Sequence, residues 1–171
     1  SVMARHLGAG GHAAAGGVVA GAHGLVLVLS AGVIAVWALL GGGFVEAMAG
    51  APRVAGLAQD YLRILVLAVP VQLLLGLHAD ALRNEGRAGV IAGLSVLVNL
   101  INIGANWLGI VVLGLGIAGS ALGTVAAQGI GLALLVAVRA RKGGVLPLSV
   151  LQQSWNAGWQ QIIRLGLPLC L

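Results

Sequence analysis

The chain has 171 residues, of which 60% are hydrophobic and only 8% charged, with a formal net charge of +5. A soluble domain carries roughly 25% charged residues, so this composition excludes an ordinary water-soluble fold and points to lipid as the main solvent. Its nine Lys and Arg sit in short clusters between long apolar runs, which argues against a nucleic-acid face, and its single cysteine, Cys170, excludes an internal disulfide.

Uncharged runs and their breaks define the spans in chain order. The first run, 7–45, is far longer than the core of a signal peptide, and its compact apolar part predicts a transmembrane helix over about 14–40. Residues 46–63 carry Glu46, Arg53, Asp60 and Arg63 with Gly50 and Pro52, and read as an interfacial connection. A second span over about 57–79 contains Pro70, which should kink it by removing a backbone donor. The polar loop Asp80, Arg83, Asn84, Glu85, Gly86, Arg87 follows. The next uncharged run, 88–138, would be about 75 Å long as one helix, against a bilayer core of about 30 Å. It must fold back, and the glycine-rich segment 113–119 is the natural turn, giving spans at about 89–113 and 117–138.

Beyond Arg139, Arg141 and Lys142 the character changes. Leu148, Leu151, Trp155, Trp159 and Ile162 recur at helical spacing opposite Gln152, Gln153, Asn156, Gln160 and Gln161. That pattern predicts an amphipathic interfacial helix within a linker over 143–164. Residues 165–171 read as the start of a further span, cut short. The expected fold is therefore all-α integral membrane, with about four spans plus the interfacial helix. Placing Arg5 inside puts seven cations inside and two, Arg53 and Arg63, outside, which predicts that 80–87 and 139–164 face the cytoplasm.

Ser95, Asn99, Asn102 and Asn106 recur at spacings of 4, 3 and 4 and form one polar stripe on the third span. Unsatisfied amides in hydrocarbon are costly, so the stripe faces protein or water. It reads as the wall of a translocation cavity or, alternatively, as interhelical hydrogen bonding that holds the bundle. Thr124 and Gln128 lie one turn apart on the fourth span and are candidates to complete the same cavity, although Thr in a membrane helix often bonds its own backbone. Gln72 lies two residues after Pro70, where its amide has a carbonyl freed by the proline to satisfy. Gly17 and Gly21, Gly89 and Gly93, and Gly119 and Gly123 have the spacing of close helix packing.

Chemistry of other kinds finds little support. Glu46, Asp60, Asp80 and Glu85 all lie at span ends or in loops, so there is no carboxylate pair for acid–base work and no metal-ligand cluster. His23 lies within a span and is able to titrate, but a lone histidine is more often hydrogen-bonded to a neighbour. His6, His12 and His78 read as lying near the inner face with no special role. Residues 114–119 spell G-x-G-x-x-G, yet no strand precedes them and no Asp or Glu follows Glu85, so the dinucleotide reading fails on context. No catalytic constellation or cofactor motif is visible.

Several segments, in order, resemble the multidrug and toxic compound extrusion (MATE) family. They are Leu7-Gly8-Ala9-Gly10; Tyr61-Leu62-Arg63-Ile64 with Pro70; the loop from Ala81 through Leu82-Arg83 to Glu85-Gly86-Arg87; Asn102-Ile103 with Asn106; Gly116-Ile117-Ala118-Gly119 running on to Thr124; and Arg164-Leu165-Gly166-Leu167-Pro168. The resemblance implies a twelve-helix antiporter of two six-helix lobes that exchanges cationic or amphipathic drugs for protons or sodium ions. Under it, 1–142 would be a partial N-terminal lobe holding helices three to six, 143–164 the cytoplasmic interlobe linker, and 165–171 the start of helix seven. It implies a multi-pass protein of the cell inner (plasma) membrane, with lipid, drugs and the remaining helices as partners, no nucleic acid, and no cofactor beyond the coupling ion. Some proton-coupled relatives carry an aspartate where Asn106 falls, and asparagine cannot titrate. A lipid-linked oligosaccharide flippase of the same superfamily is the nearest rival, disfavoured by uncharged spans. A truncated, non-transporting remnant is the other.

Overall fold

A computed structural model describes residues 12–141 together with 159, 160 and 163, with side chains from residue 16 onward. The described residues form helices and short connections only. The first helix, α1, is His12–Met48, and a three-residue link leads to α2, Pro52–Leu67. α3, Val69–Asn84, follows after Ala68 alone, α4 is Ala88–Trp107, and α5 is Gly116–Arg141. A π-helical turn, Leu108–Val112, prolongs α4.

Three of these stretches are long and apolar enough to cross a membrane: Gly16–Met48, Ala88–Val112 and Gly116–Arg141. A fourth arises if α2 and α3, bent by 46°, count as one broken span. The described residues thus form an all-α integral membrane bundle of three spans, or four with the bent pair counted as one.

The helix ends differ from the sequence expectation for identifiable reasons. α1 passes beyond residue 40 because the glycines and Glu46 that end its apolar run do not themselves break a helix. It stops only before Ala51, whose backbone is extended (φ −152°, ψ 144°) ahead of Pro52 at the first position of α2. Residues 52–63, expected as an interfacial connection, are helical for the same reason: charged side chains mark a helix face, not its end. The kink expected at Pro70 falls at Ala68, since the proline ring acts on the turn before it. There the Ala68 N–H is shared between the carbonyls of Ile64 and Leu65, at 3.2 and 3.1 Å. The turn between α4 and α5 needs left-handed backbone at Gly114 (φ 65°) and Gly116 (φ 56°), which glycine adopts without steric cost.

Packing is uneven. Leu82, Ile91 and Leu135 form a buried core where α3, α4 and α5 meet, with Leu75, Ala79, Leu94 and Val138 around it. The first half of α1 adds buried Val19, Ala20, His23 and Ser30, whereas its second half exposes Leu39 (83%), Leu40 and Phe44. Apolar side chains this exposed suit contact with lipid or with further helices. The predicted linker 143–164, its amphipathic helix and the segment 165–171 lie outside the described residues, apart from helical positions 159, 160 and 163. Trp159 Nε1 donates to the Gly21 carbonyl at 2.8 Å, which ties that position to α1.

Candidate functional site

The polar stripe of α4 faces α5. Asn102 Nδ2 donates to Thr124 Oγ1 at 3.1 Å, and Asn106 Nδ2 donates to Asn102 Oδ1 at 3.3 Å. Thr124 in turn donates to its own backbone, at the Ser120 carbonyl (3.0 Å). A hydroxyl has one proton and two lone pairs, so Thr124 satisfies its backbone and still accepts from Asn102. The helices approach closely here because α5 offers Gly119 and Gly123. A Cβ added at Gly119 would lie 2.5 Å from the Gly109 carbonyl oxygen, and one at Gly123 would overlap the Asn106 amide. Another of the expected small-residue pairs does not pack this way: Gly89 and Gly93 have open space where a Cβ would stand. They sit on the exposed face of α4, so spacing alone did not identify the contact face.

Asn106 Oδ1 is buried and accepts no hydrogen bond among the described residues. Immediately after it the helix widens into the π turn, where Leu113 N–H bonds to Leu108 O at 2.9 Å. Such turns are frequent at functional sites, and no pattern in the sequence announced this one. Below the asparagines a cavity of about 280 Å³ opens between α3, α4 and α5, lined by Leu75, Leu94, Ser95, Val98, Asn99 and Gly131 among others. Asn99 and Ser95 are exposed at its edge, and Gln128 is half-buried on α5. Gln72 is exposed, with no side-chain hydrogen bond described to the carbonyl that Pro70 frees. The structure therefore joins Asn102, Asn106 and Thr124 by direct bonds, places Asn99 on the cavity, and leaves Gln72 apart.

A second polar cluster was missed. His78, expected at the inner face without a role, is buried (4% exposed) together with His23 and Arg139. Arg139 Nη1 bonds His78 Nδ1 at 2.6 Å, and His78 Nε2 lies 3.3 Å from His23 Nε2. His23 Nδ1 lies 2.8 Å from the Val19 carbonyl oxygen. The imidazoles meet edge to face, with centroids 5.0 Å apart and planes at 73°. These residues come from α1, α3 and α5, and are isolated from one another in the sequence. Only the rarity of ionisable groups inside apolar spans marked any of them in advance.

The MatE family model matches residues 1–108, more than half of the chain. Multidrug and toxin extrusion protein 1 of Oryctolagus cuniculus is 33% identical over 127 residues, 70% of this chain and 21% of that protein. The fold is similar to that of a multidrug resistance MATE family transporter of the MOP superfamily in an inward-facing conformation, with TM-score 0.84 and 24% identity over 97% of this chain and 38% of that one. A MOP superfamily transporter from Pyrococcus furiosus Vc1 gives TM-score 0.85 at 22% identity, over 97% of this chain and 37% of that one. The chain thus spans about a fifth of the curated relative's length and less than two fifths of each solved structure. With the family model covering most of the sequence and three to four apolar spans among the described residues, the chain belongs to the MatE family, a family of membrane transporters rather than enzymes.

Proposed function

We propose that this chain is part of a drug/cation antiporter: one segment of a larger two-lobed transporter that exports cationic or amphipathic drugs across the plasma membrane against an inward flow of protons or sodium ions. The observation that carries the reading is the bonded set Asn102, Asn106 and Thr124 beside the 280 Å³ cavity. Polar groups in a span are retained where they meet protein, water or cargo. Asn106 Oδ1, buried without a donor among the described residues, is an open acceptor for a cation or an N–H group. The cavity's largely apolar, uncharged lining supports amphipathic cargo over an anionic lipid-linked sugar. The drug-exporting name of the curated relative adds to this, as do relatives much longer than the chain. Membrane placement with 80–87 and 139–164 in the cytoplasm follows from the cation bias.

Cells making a transporter that contains this chain should accumulate less ethidium than control cells. A protonophore or removal of sodium, depending on the coupling ion, should abolish the difference. Asn106→Leu should remove most of the efflux while the amount of protein in the membrane stays unchanged. Equal loss of both would make the stripe a structural device, and undiminished accumulation by correctly inserted protein would refute drug export. Orientation has its own check. In a Cys170→Ser background, Asn84→Cys and Gly143→Cys should resist an impermeant thiol reagent added to intact cells, and labelling of both from outside would reverse the topology.

A further inference from the structure

The hydrogen bonds around His23 and His78 have only one consistent proton assignment. An arginine cannot be deprotonated in a protein and has no acceptor atom, so Arg139 Nη1 donates to His78 Nδ1. His78 therefore carries its single proton on Nε2 and donates it to His23 Nε2. His23 Nε2 is then the acceptor, and its own proton sits on Nδ1. The far end of the chain requires the same answer independently, because the Val19 carbonyl oxygen only accepts. Both rings are neutral, and every ring nitrogen is used.

This assignment also rejects the obvious competing role. Two Nε2 atoms 3.3 Å apart have the spacing of a pair of imidazoles on one tetrahedral metal, with ligand distances of about 2.0–2.1 Å. Metal binding at His78 Nε2 would move its proton to Nδ1, where Arg139 already points a donor. The second ligand shell of a metal-bound histidine is an acceptor, commonly a carboxylate or a carbonyl. A guanidinium in that place excludes the metal.

We propose that His23 and His78, aligned by Arg139, form a proton-binding site inside the bundle, and that occupying it breaks the hydrogen bonds that tie α1 and α5 to α3. An added proton has two places to go. On His23 Nε2 it faces the His78 Nε2–H and separates α1 from α3. On His78 Nδ1 it faces Arg139 and separates α5 from α3. In each case one N–H bond forms, one interhelical hydrogen bond is lost, and release of the proton from the same nitrogen restores it. Arg139 from α5 bonds His78 of α3, which bonds His23 of α1, so one cation already stands at the end of the chain of rings. Glu85, just past the end of α3, is the acidic group whose charge acts on Arg139. Asp80 and Arg83 pair with each other on the exposed surface. Histidine is the side chain whose charge ordinarily changes between pH 5 and 8.

The position suits coupling to transport, and that part rests on the antiport reading. Arg139 and Thr124 are 15 residues apart on α5, about 22 Å along the helix. Gly131 of the cavity lies between them. A proton that loosens α1 and α5 from α3 alters the walls of the space beside the asparagines.

The test uses the full chain, ¹⁵N-labelled at histidine, in lipid nanodiscs. Above neutrality the ring signals should show His23 protonated on Nδ1 and His78 on Nε2, assigned with His→Gln variants at each of the four histidines. Acidification should convert at least one of the two rings to the imidazolium. Spin labels at Leu29→Cys on α1 and Ile130→Cys on α5, with Cys170→Ser, should report a changed separation over the same pH interval. His23→Gln or His78→Gln should abolish that change, whereas His12→Gln should leave it intact. Should either variant fail to fold, the unsubstituted chain still decides, because its tautomers and its distance change are read without mutation. A His78 proton on Nδ1, rings that stay neutral to pH 4, a distance change that survives in both variants, or zinc-induced ring shifts at micromolar metal would each overturn the proposal. Failure of ethidium efflux with the pH-driven distance change intact would instead refute drug export and leave the proton site standing.

Discussion

The two ends of α5 carry two polar clusters built on opposite principles. Near its start, Thr124 meets Asn102 and Asn106, neutral groups with short local bonds across a glycine-lined contact. At its end, Arg139 meets His78 and His23 in a chain of bonds linking three helices. The first cluster draws on two neighbouring helices joined by a short turn, so losing one bond leaves the contact intact. The second is the polar tie between α1, α3 and α5, buried and charged, so losing one member strands the others. Neutral amides bind or line a path with little energetic consequence to the bundle, whereas ionisable groups in the same setting make the bundle's geometry depend on their charge.

That contrast sets the size of the expected effects. Arg139→Ala should be the most damaging single change, because it leaves the buried His78 Nδ1 without its donor. A buried hydrogen bond to a charged group is worth about 1.5–3 kcal/mol, read as a clear drop in melting temperature of the detergent-solubilised protein. A variant that melts like the parent would make the cluster incidental. Gly123→Ala comes next. Its new methyl overlaps the Asn106 amide, and overpacking costs about 1–3 kcal/mol. Gly93→Ala enters open space and should be neutral or gain up to about 1 kcal/mol from helix propensity. Equal effects at the two glycines would disprove the close contact. A double-mutant cycle of Asn102→Ala and Thr124→Ala should return a coupling of about 0.6 kcal/mol, typical of hydrogen bonds between membrane helices. A coupling of several kcal/mol would turn the amide cluster into a structural tie like the histidine one. Gln72→Ala should lie within about 0.5 kcal/mol of the parent, as exposed positions do, with efflux unchanged. Lost efflux there would bring Gln72 back to the cavity.

The candidate site was legible in part. Ser95, Asn99, Asn102 and Asn106 share a helix face by spacing alone, and the short glycine turn made α5 the natural neighbour, so Thr124 was within reach of the argument. Gln72 was not, because its face depends on the direction that α3 takes after the break at Ala68. The π turn beside Asn106 was also invisible, since nothing in Leu108–Val112 distinguishes five-residue from four-residue backbone bonding.

Composition by itself determined that this chain lives in lipid: with so few charges and such long uncharged runs, a helix is the open-chain way to satisfy every backbone group there. Prolines and glycines determined where the spans break, because a missing N–H and a missing Cβ act locally, whatever the chain does elsewhere. Only the tertiary structure decided that His23 meets His78, 55 residues away, and that Arg139 joins them from 61 residues beyond His78. His23 is the lone ionisable group in its apolar stretch while His78 and Arg139 lie at the ends of theirs, and periodicity describes one helix at a time. Which helix faces which is settled by the bend at Ala68 and the close crossing at Gly109 and Gly119, and the bonding of buried ionisable groups follows from that docking.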